Sequence, residues 1–152
     1  MKVVYCVKYG SHEDLEVREI DPPGAPEEGQ VKVDVQARGI QFSDLVRIAG
    51  NYQDKAELPF VVGGDAGGIV TELGAGVTEF SIGDRVLLPG GCVEEINVSR
   101  AAVTAIPDGV DLHVAAAFRN GYATAYYGMQ RANLQAGETL LVHGAAGSVG
   151  LG

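Results

Sequence analysis

The sequence predicts a mainly β fold, a barrel or folded-over sheet over about the first 105 residues, that gives way to the opening of an α/β unit. Short apolar segments alternate with glycine-bearing turns in the first part. After Ile106-Pro107-Asp108-Gly109 the texture turns alanine-rich and helical, and a short apolar run then meets a glycine-rich turn. The 22 glycines among 152 residues, about twice the ordinary usage of roughly 7%, supply the turns such a chain needs.

Val3 to Val7 and Leu15 to Ile20 read as strands, with Tyr9-Gly10-Ser11 opening their connection. Asp21 to Pro26 reads as a surface loop, because Pro22, Pro23 and Pro26 cannot donate to a ladder. Val31, Val33, Val35 and Ala37 alternate with Lys32, Asp34, Gln36 and Arg38, the period of a half-buried strand. Ser43 is then expected to cap a short helix whose apolar side is Leu45, Val46 and Ile48, ending at Gly50. Val61 to Val70 reads as one strand interrupted by glycines, and Arg85 to Leu88 and Val93 to Val98 as two more. Asp111 to Phe118 and Gly121 to Ala132 read as two successive helices, the second bearing Tyr122, Tyr126 and Tyr127 at packing positions. Thr139-Leu140-Leu141-Val142 has the character of a fully buried parallel strand.

Charge and composition narrow the function. With 20 acidic against 11 basic residues and a net charge of −9, the chain repels phosphate backbones and anionic head groups, so nucleic acid and membrane are not the expected partners. The apolar run at the amino terminus is too short for a signal-peptide core, which makes a cytoplasmic location the default. The two cysteines, Cys6 and Cys92, read as reduced. His12, His113 and His143 show no metal-ligand spacing, so the chemistry is expected to come from an organic cofactor.

The strongest chemical signal is Gly144-Ala145-Ala146-Gly147-Ser148-Val149-Gly150, directly after the apolar run. Small residues there let a backbone turn sharply from strand to helix and bring free N–H groups close to a pyrophosphate. Ala145-x-Gly147-x-x-Gly150 is a variant of the three-glycine dinucleotide fingerprint, with alanine in first place. A plain strand-to-helix turn is the competing reading.

Five segments in register carry a resemblance over essentially the whole chain. These are Gly39 to Asp44, Gly50-Asn51-Tyr52, Phe60 to Gly68, Gly83 to Val86, and Val142 to Gly150. In this order they resemble the zinc-free quinone oxidoreductases of the medium-chain dehydrogenase/reductase superfamily. The resemblance implies a GroES-like, partly open barrel with short helices over residues 1–122. It also implies that residues 123–152 begin a truncated Rossmann domain that binds NADPH through Ala145, Ala146, Gly147, Ser148, Val149 and Gly150. The positions that hold catalytic zinc in alcohol dehydrogenase relatives look like Gln41, Gly64 and Asn120 here, none of them a good ligand, so no metal is expected.

The same resemblance implies hydride transfer from NADPH to a quinone or activated enone, with a homodimer as the complete enzyme and the present residues inactive alone. Tyr52 is expected at the mouth of the site, where its hydroxyl would bond a quinone oxygen or the cofactor; a packing tyrosine is the alternative. Gln41, where the family more often has asparagine, and Thr124 are expected near the nicotinamide. Ordinary loop and helix-backbone hydrogen bonds are their alternatives. Asp65 reads as a structural carboxylate near the cleft, and His143 as structural. An enoyl-thioester reductase on the same scaffold, or a non-catalytic GroES-like binding or structural module, are the other functions considered.

Overall fold

The alternation at Val31 builds the centre of the molecule, seen here in a computed structural model that describes residues 1–152. Strand β3 (Gln30–Gly39) turns Val31, Val33, Val35 and Ala37 inward, each at most 3% exposed. It pairs antiparallel with β5 (Asp65–Leu73) on one side and β7 (Glu95–Ser99) on the other. Strands β6 (Arg85–Pro89) and β8 (Thr104–Ala105) extend the sheet to five strands in the order β7-β3-β5-β6-β8. Lys32 departs from the expected polar, solvent-facing half of β3: it is 8% exposed, and its ammonium reaches Glu72 Oε1 at 2.5 Å on the paired strand. A long apolar stem with a paired head tolerates that burial.

A second sheet holds β1 (Lys2–Cys6) between β2 (Leu15–Glu19) and β4 (Phe60–Val61), again antiparallel. Both sheets are open. They are stitched together by a bridge between Val3 and Val93 and by Val4 N–H donating to Cys92 C=O at 2.9 Å. The main core lies between them, formed by Val3, Val31, Val33, Val70, Val86 and Leu88 with smaller neighbours. No helix is long and apolar enough to cross a membrane.

Several elements differ from the sequence reading. The single strand expected from Val61 to Val70 is two strands in different sheets, because the chain crosses at Val62–Gly64 with Gly63 at a φ of +104°. The two expected helices are one, α2 (Leu112–Arg131), capped by the Asp111 side chain, which accepts from His113 N–H at 2.8 Å. Gly121 lies within it without breaking it, since tertiary contact outweighs a propensity cost of about 1 kcal/mol. The expected strand Thr139–Val142 is absent: a strand needs a neighbour, and no segment of the chain pairs with these residues. Leu140, Leu141 and Val142 are 54%, 76% and 42% exposed.

Helix α2 crosses the five-stranded sheet with its small residues inward. Ala115 and Ala116 are buried, and glycines on the sheet let the helix backbone descend onto it. A Cβ at Gly39 would stand 2.1 Å from the Ala116 carbonyl oxygen, and one at Gly67 would stand 2.7 Å from that of Leu112.

Truncating a fully enclosed side chain and an exposed one should separate core from surface. Leu88→Ala is expected to cost about 2–5 kcal/mol of unfolding free energy. Val17→Ala, at a site 68% exposed, should stay within about 0.5 kcal/mol in the same urea titration.

Candidate active site

Helix α1 (Phe42–Ile48) begins beside the crossing between the two sheets. Its N-cap is Gln41, not the expected Ser43, which lies inside the first turn. The capping acceptor is Asp44, whose Oδ2 takes the Gln41 N–H at 2.7 Å while Asp44 N–H donates back to Gln41 C=O at 3.0 Å. A carboxylate three residues into a helix satisfies an otherwise orphaned amide, so the Gln41-x-x-Asp44 spacing was the available signal.

Asp44 is 5% exposed. Its Oδ1 lies 3.8 Å from where a side chain on Gly64 would begin, so the missing Cβ leaves room beside the carboxyl. Burial pushes the Asp44 carboxyl above the ordinary aspartate range. The Gln41 amide and the Arg47 charge oppose that rise, and the nearby charge of Asp65 adds to it.

Asp65 opens β5 and is 4% exposed. Its Oδ1 accepts from the Arg119 guanidinium on α2, which is 41% exposed. The expectation of a structural carboxylate thus acquires a partner that the sequence did not reveal: an arginine in an alanine-rich helix carries no sign of which sheet residue it meets. The pair fastens helix to sheet beside Gly64.

Tyr52 is half-buried two residues past Gly50, with the Arg47 guanidinium carbon 5.0 Å from its ring centroid. That cation on the ring face restrains the ring's orientation. Gln41 and Tyr52 therefore flank the same short helix. The positions compared with zinc ligands, Gln41, Gly64 and Asn120, offer one amide, no side chain and a second amide. No three histidine, cysteine, aspartate or glutamate side chains converge anywhere in the chain.

The glycine-rich turn forms a separate half of the candidate site. Thr124, exposed on α2, shares a cleft of about 620 Å³ with Val149, Gly150, His143 and Leu141. Ala145, Ala146, Gly147 and Ser148 lie outside that cleft, on the exposed surface of the turn. The turn rests on α2 at Gly121, where a Cβ would come within 2.7 Å of the Ser148 carbonyl oxygen.

Within the turn, Gly147 N–H donates to Gly144 C=O at 2.9 Å and Leu151 N–H to Gly147 C=O at 3.0 Å. The N–H groups of Ala145, Ala146, Ser148, Val149 and Gly150 have no protein acceptor. The expected helix beyond it is not formed: a lone i to i+4 bond does not repay the ordering of a helical nucleus. What remains is a tight turn with unspent donors, a donor set that fits a diphosphate.

Residues 27–136 match the alcohol dehydrogenase GroES-like domain. The quinone oxidoreductase-like protein 2 homolog of Nematostella vectensis is 46% identical over 127 residues, which cover 80% of this chain and 35% of that protein. The human synaptic vesicle membrane protein VAT-1 homolog-like protein superposes with a TM-score of 0.92 at 34% identity, covering 99% of this chain and 50% of that one. Escherichia coli quinone oxidoreductase complexed with NADPH gives 0.88 at 30% identity, with 99% and 47% covered. The CurK enoyl reductase also reaches 0.88, at 26% identity over 99% of this chain and 48% of that one. The chain thus spans half or less of the length of these relatives.

Two substitutions probe the buried carboxylates. Arg119→Met leaves Asp65 enclosed without its partner and should lower stability by about 2 kcal/mol, less than a fully buried pair because the guanidinium is partly solvated. An unchanged midpoint in urea would contradict that account.

Asp44 gives a pH signature. Its folded pKa is raised, so between the ordinary aspartate value and the raised one the folded state holds a proton that the unfolded chain has released. Stability from this residue therefore falls as pH rises through that window. Asp44→Asn, which keeps an acceptor for the Gln41 N–H, should stabilise the chain near pH 7 and lose that advantage near pH 3. Equal gains at both pH values in denaturant melts would refute it.

Proposed function

The chain belongs to the alcohol dehydrogenase GroES-like domain family, and we propose on that premise that it forms the acceptor-binding part of an NADPH-dependent quinone oxidoreductase that works without zinc. The observation that carries the reading is the glycine-rich turn docked on α2 with free backbone donors, two of which, on Val149 and Gly150, belong to residues sharing a cleft with Thr124. Support also comes from the similarity to quinone oxidoreductases whose structures hold NADPH. Residues 1–122 would be the catalytic domain and 123–152 the start of the Rossmann domain. The boundary would then fall inside α2, making that helix the rigid link between acceptor site and cofactor site.

NADPH, when bound, supplies a hydride. The N–H groups from Ala145 to Gly150, that of Gly147 excepted, would hold its diphosphate, since they make no hydrogen bond within the protein. Thr124 would offer a hydroxyl near the nicotinamide.

The acceptor side falls to Tyr52 and Gln41. A quinone that takes up hydride at one carbonyl system develops negative charge on oxygen and needs one proton to become the hydroquinone. A hydroxyl donating to that oxygen favours the charged transition state over the ground state. Tyr52, with Arg47 against its ring face, would be the donor, and the Gln41 amide would steady the quinone ring from the start of α1. Gly64 and Asn120 would leave the centre of the cleft to organic chemistry. A cytoplasmic homodimer with a small quinone or enone as substrate completes the proposal.

A second reading has its own support: the fold also matches an enoyl reductase, so reduction of an enoyl thioester is the alternative. The intact enzyme should turn over a benzoquinone with NADPH but leave an enoyl thioester untouched. Tyr52→Phe should lower kcat/KM for the quinone about 10- to 100-fold, the worth of one hydrogen bond to a developing charge. Turnover of the thioester alone, or full activity in Tyr52→Phe, would overturn the assignment.

A further inference from the structure

We propose that Tyr9 is the positioning residue that fixes the loop carrying Tyr52, an inference that rests on the reading of Tyr52 as the acceptor-binding group. Residues 52–59 connect the end of α1 to β4 without regular structure. Through that stretch the backbone and side chains make one hydrogen bond to the rest of the protein, from the Tyr9 hydroxyl to the Ala56 carbonyl.

The same side chain also touches the loop's two ends. At the start, Gly50 has a φ of +74°, and a Cβ there would stand 2.9 Å from Tyr9 Cγ, so the base of the ring occupies the space a side chain would need. At the far end the Tyr9 ring meets that of Phe60 at 6.4 Å between centroids. In between, Lys55 places its ammonium 5.8 Å from the centre of the Tyr9 ring.

Tyr9 is itself well anchored. The neighbouring Gly10 N–H donates to Ile48 C=O at 2.9 Å, which ties this segment to the last turn of α1. Strand β1 ends three residues earlier at Cys6, inside the smaller core cluster with Ile48 and Val62. Tyr52 takes its own support from Asn51 N–H on Val46 C=O and from Arg47, both on α1. The helix therefore sets where Tyr52 starts, and Tyr9 sets where the rest of its loop closes. An irregular segment with no other hydrogen bond to the rest of the protein samples many conformations, and each one removed in advance is a cost that acceptor binding does not meet.

Tyr9→Phe keeps the ring and removes only the hydroxyl bond, whereas Tyr9→Ala removes all the contacts. Backbone amide NMR order parameters across residues 52–58 should fall in Tyr9→Phe and further in Tyr9→Ala, with those of β3 and β5 unchanged. In the intact enzyme, KM for a benzoquinone should rise about 2- to 10-fold in Tyr9→Phe while kcat holds.

Unchanged order parameters in both variants would overturn the proposal, and so would a loss of order spread through β3 and β5 or a fall in kcat at constant KM. The order-parameter measurement needs no turnover. If Tyr52→Phe proves fully active, the acceptor-binding reading falls and the order parameters still decide whether Tyr9 holds the loop.

Discussion

The close approach of α2 to the five-stranded sheet is the constraint on which the candidate site depends. Backbone meets backbone at Gly39 and Gly67, where a single added carbon would collide with a helix carbonyl. That contact fixes the height of the helix, and Ala115 and Ala116 complete the seam. Arg119 then reaches Asp65 from one face, and Gly121 receives Ser148 on another. The glycine-rich turn and the carboxylates near Gly64 are thus referred to one rigid element. A helix one methyl group higher would shift both halves of the site.

Charge at the sheet crossing follows a consistent pattern. Asp44 and Asp65 are both nearly inaccessible, yet each has a defined partner: a helix amide for the first, a guanidinium for the second. Enclosed carboxylates are costly unless such partners are supplied, so these two specify where α1 begins and where α2 lies. With Gly64 between them, the volume at the crossing is filled by neither a large side chain nor a cluster of metal donors.

Much of this was legible from residue order alone. The alternation from Val31 to Ala37 identified the central strand and its buried face, and the short segments with turn glycines identified a mainly β fold, read as a barrel or folded-over sheet where the chain forms two open sheets. Elements that depend on distant partners were less legible. Gly121 looked like a helix boundary because its reason for being there, the Ser148 carbonyl, is remote in sequence. Thr139 to Val142 had a strand's composition but no neighbour to pair with. Within the candidate site, Tyr52, Gln41 and the turn were visible as motifs. Arg119 and the buried role of Asp44 were not, since ion pairing and burial are properties of the assembled chain.

The separation of residues 52–59 from the main core has an evolutionary consequence. Nothing in the main core rests on that stretch, so its side chains can be exchanged without disturbing the packing that keeps the domain folded. Descendants of one ancestral scaffold can therefore vary these few positions while the surrounding architecture is inherited intact.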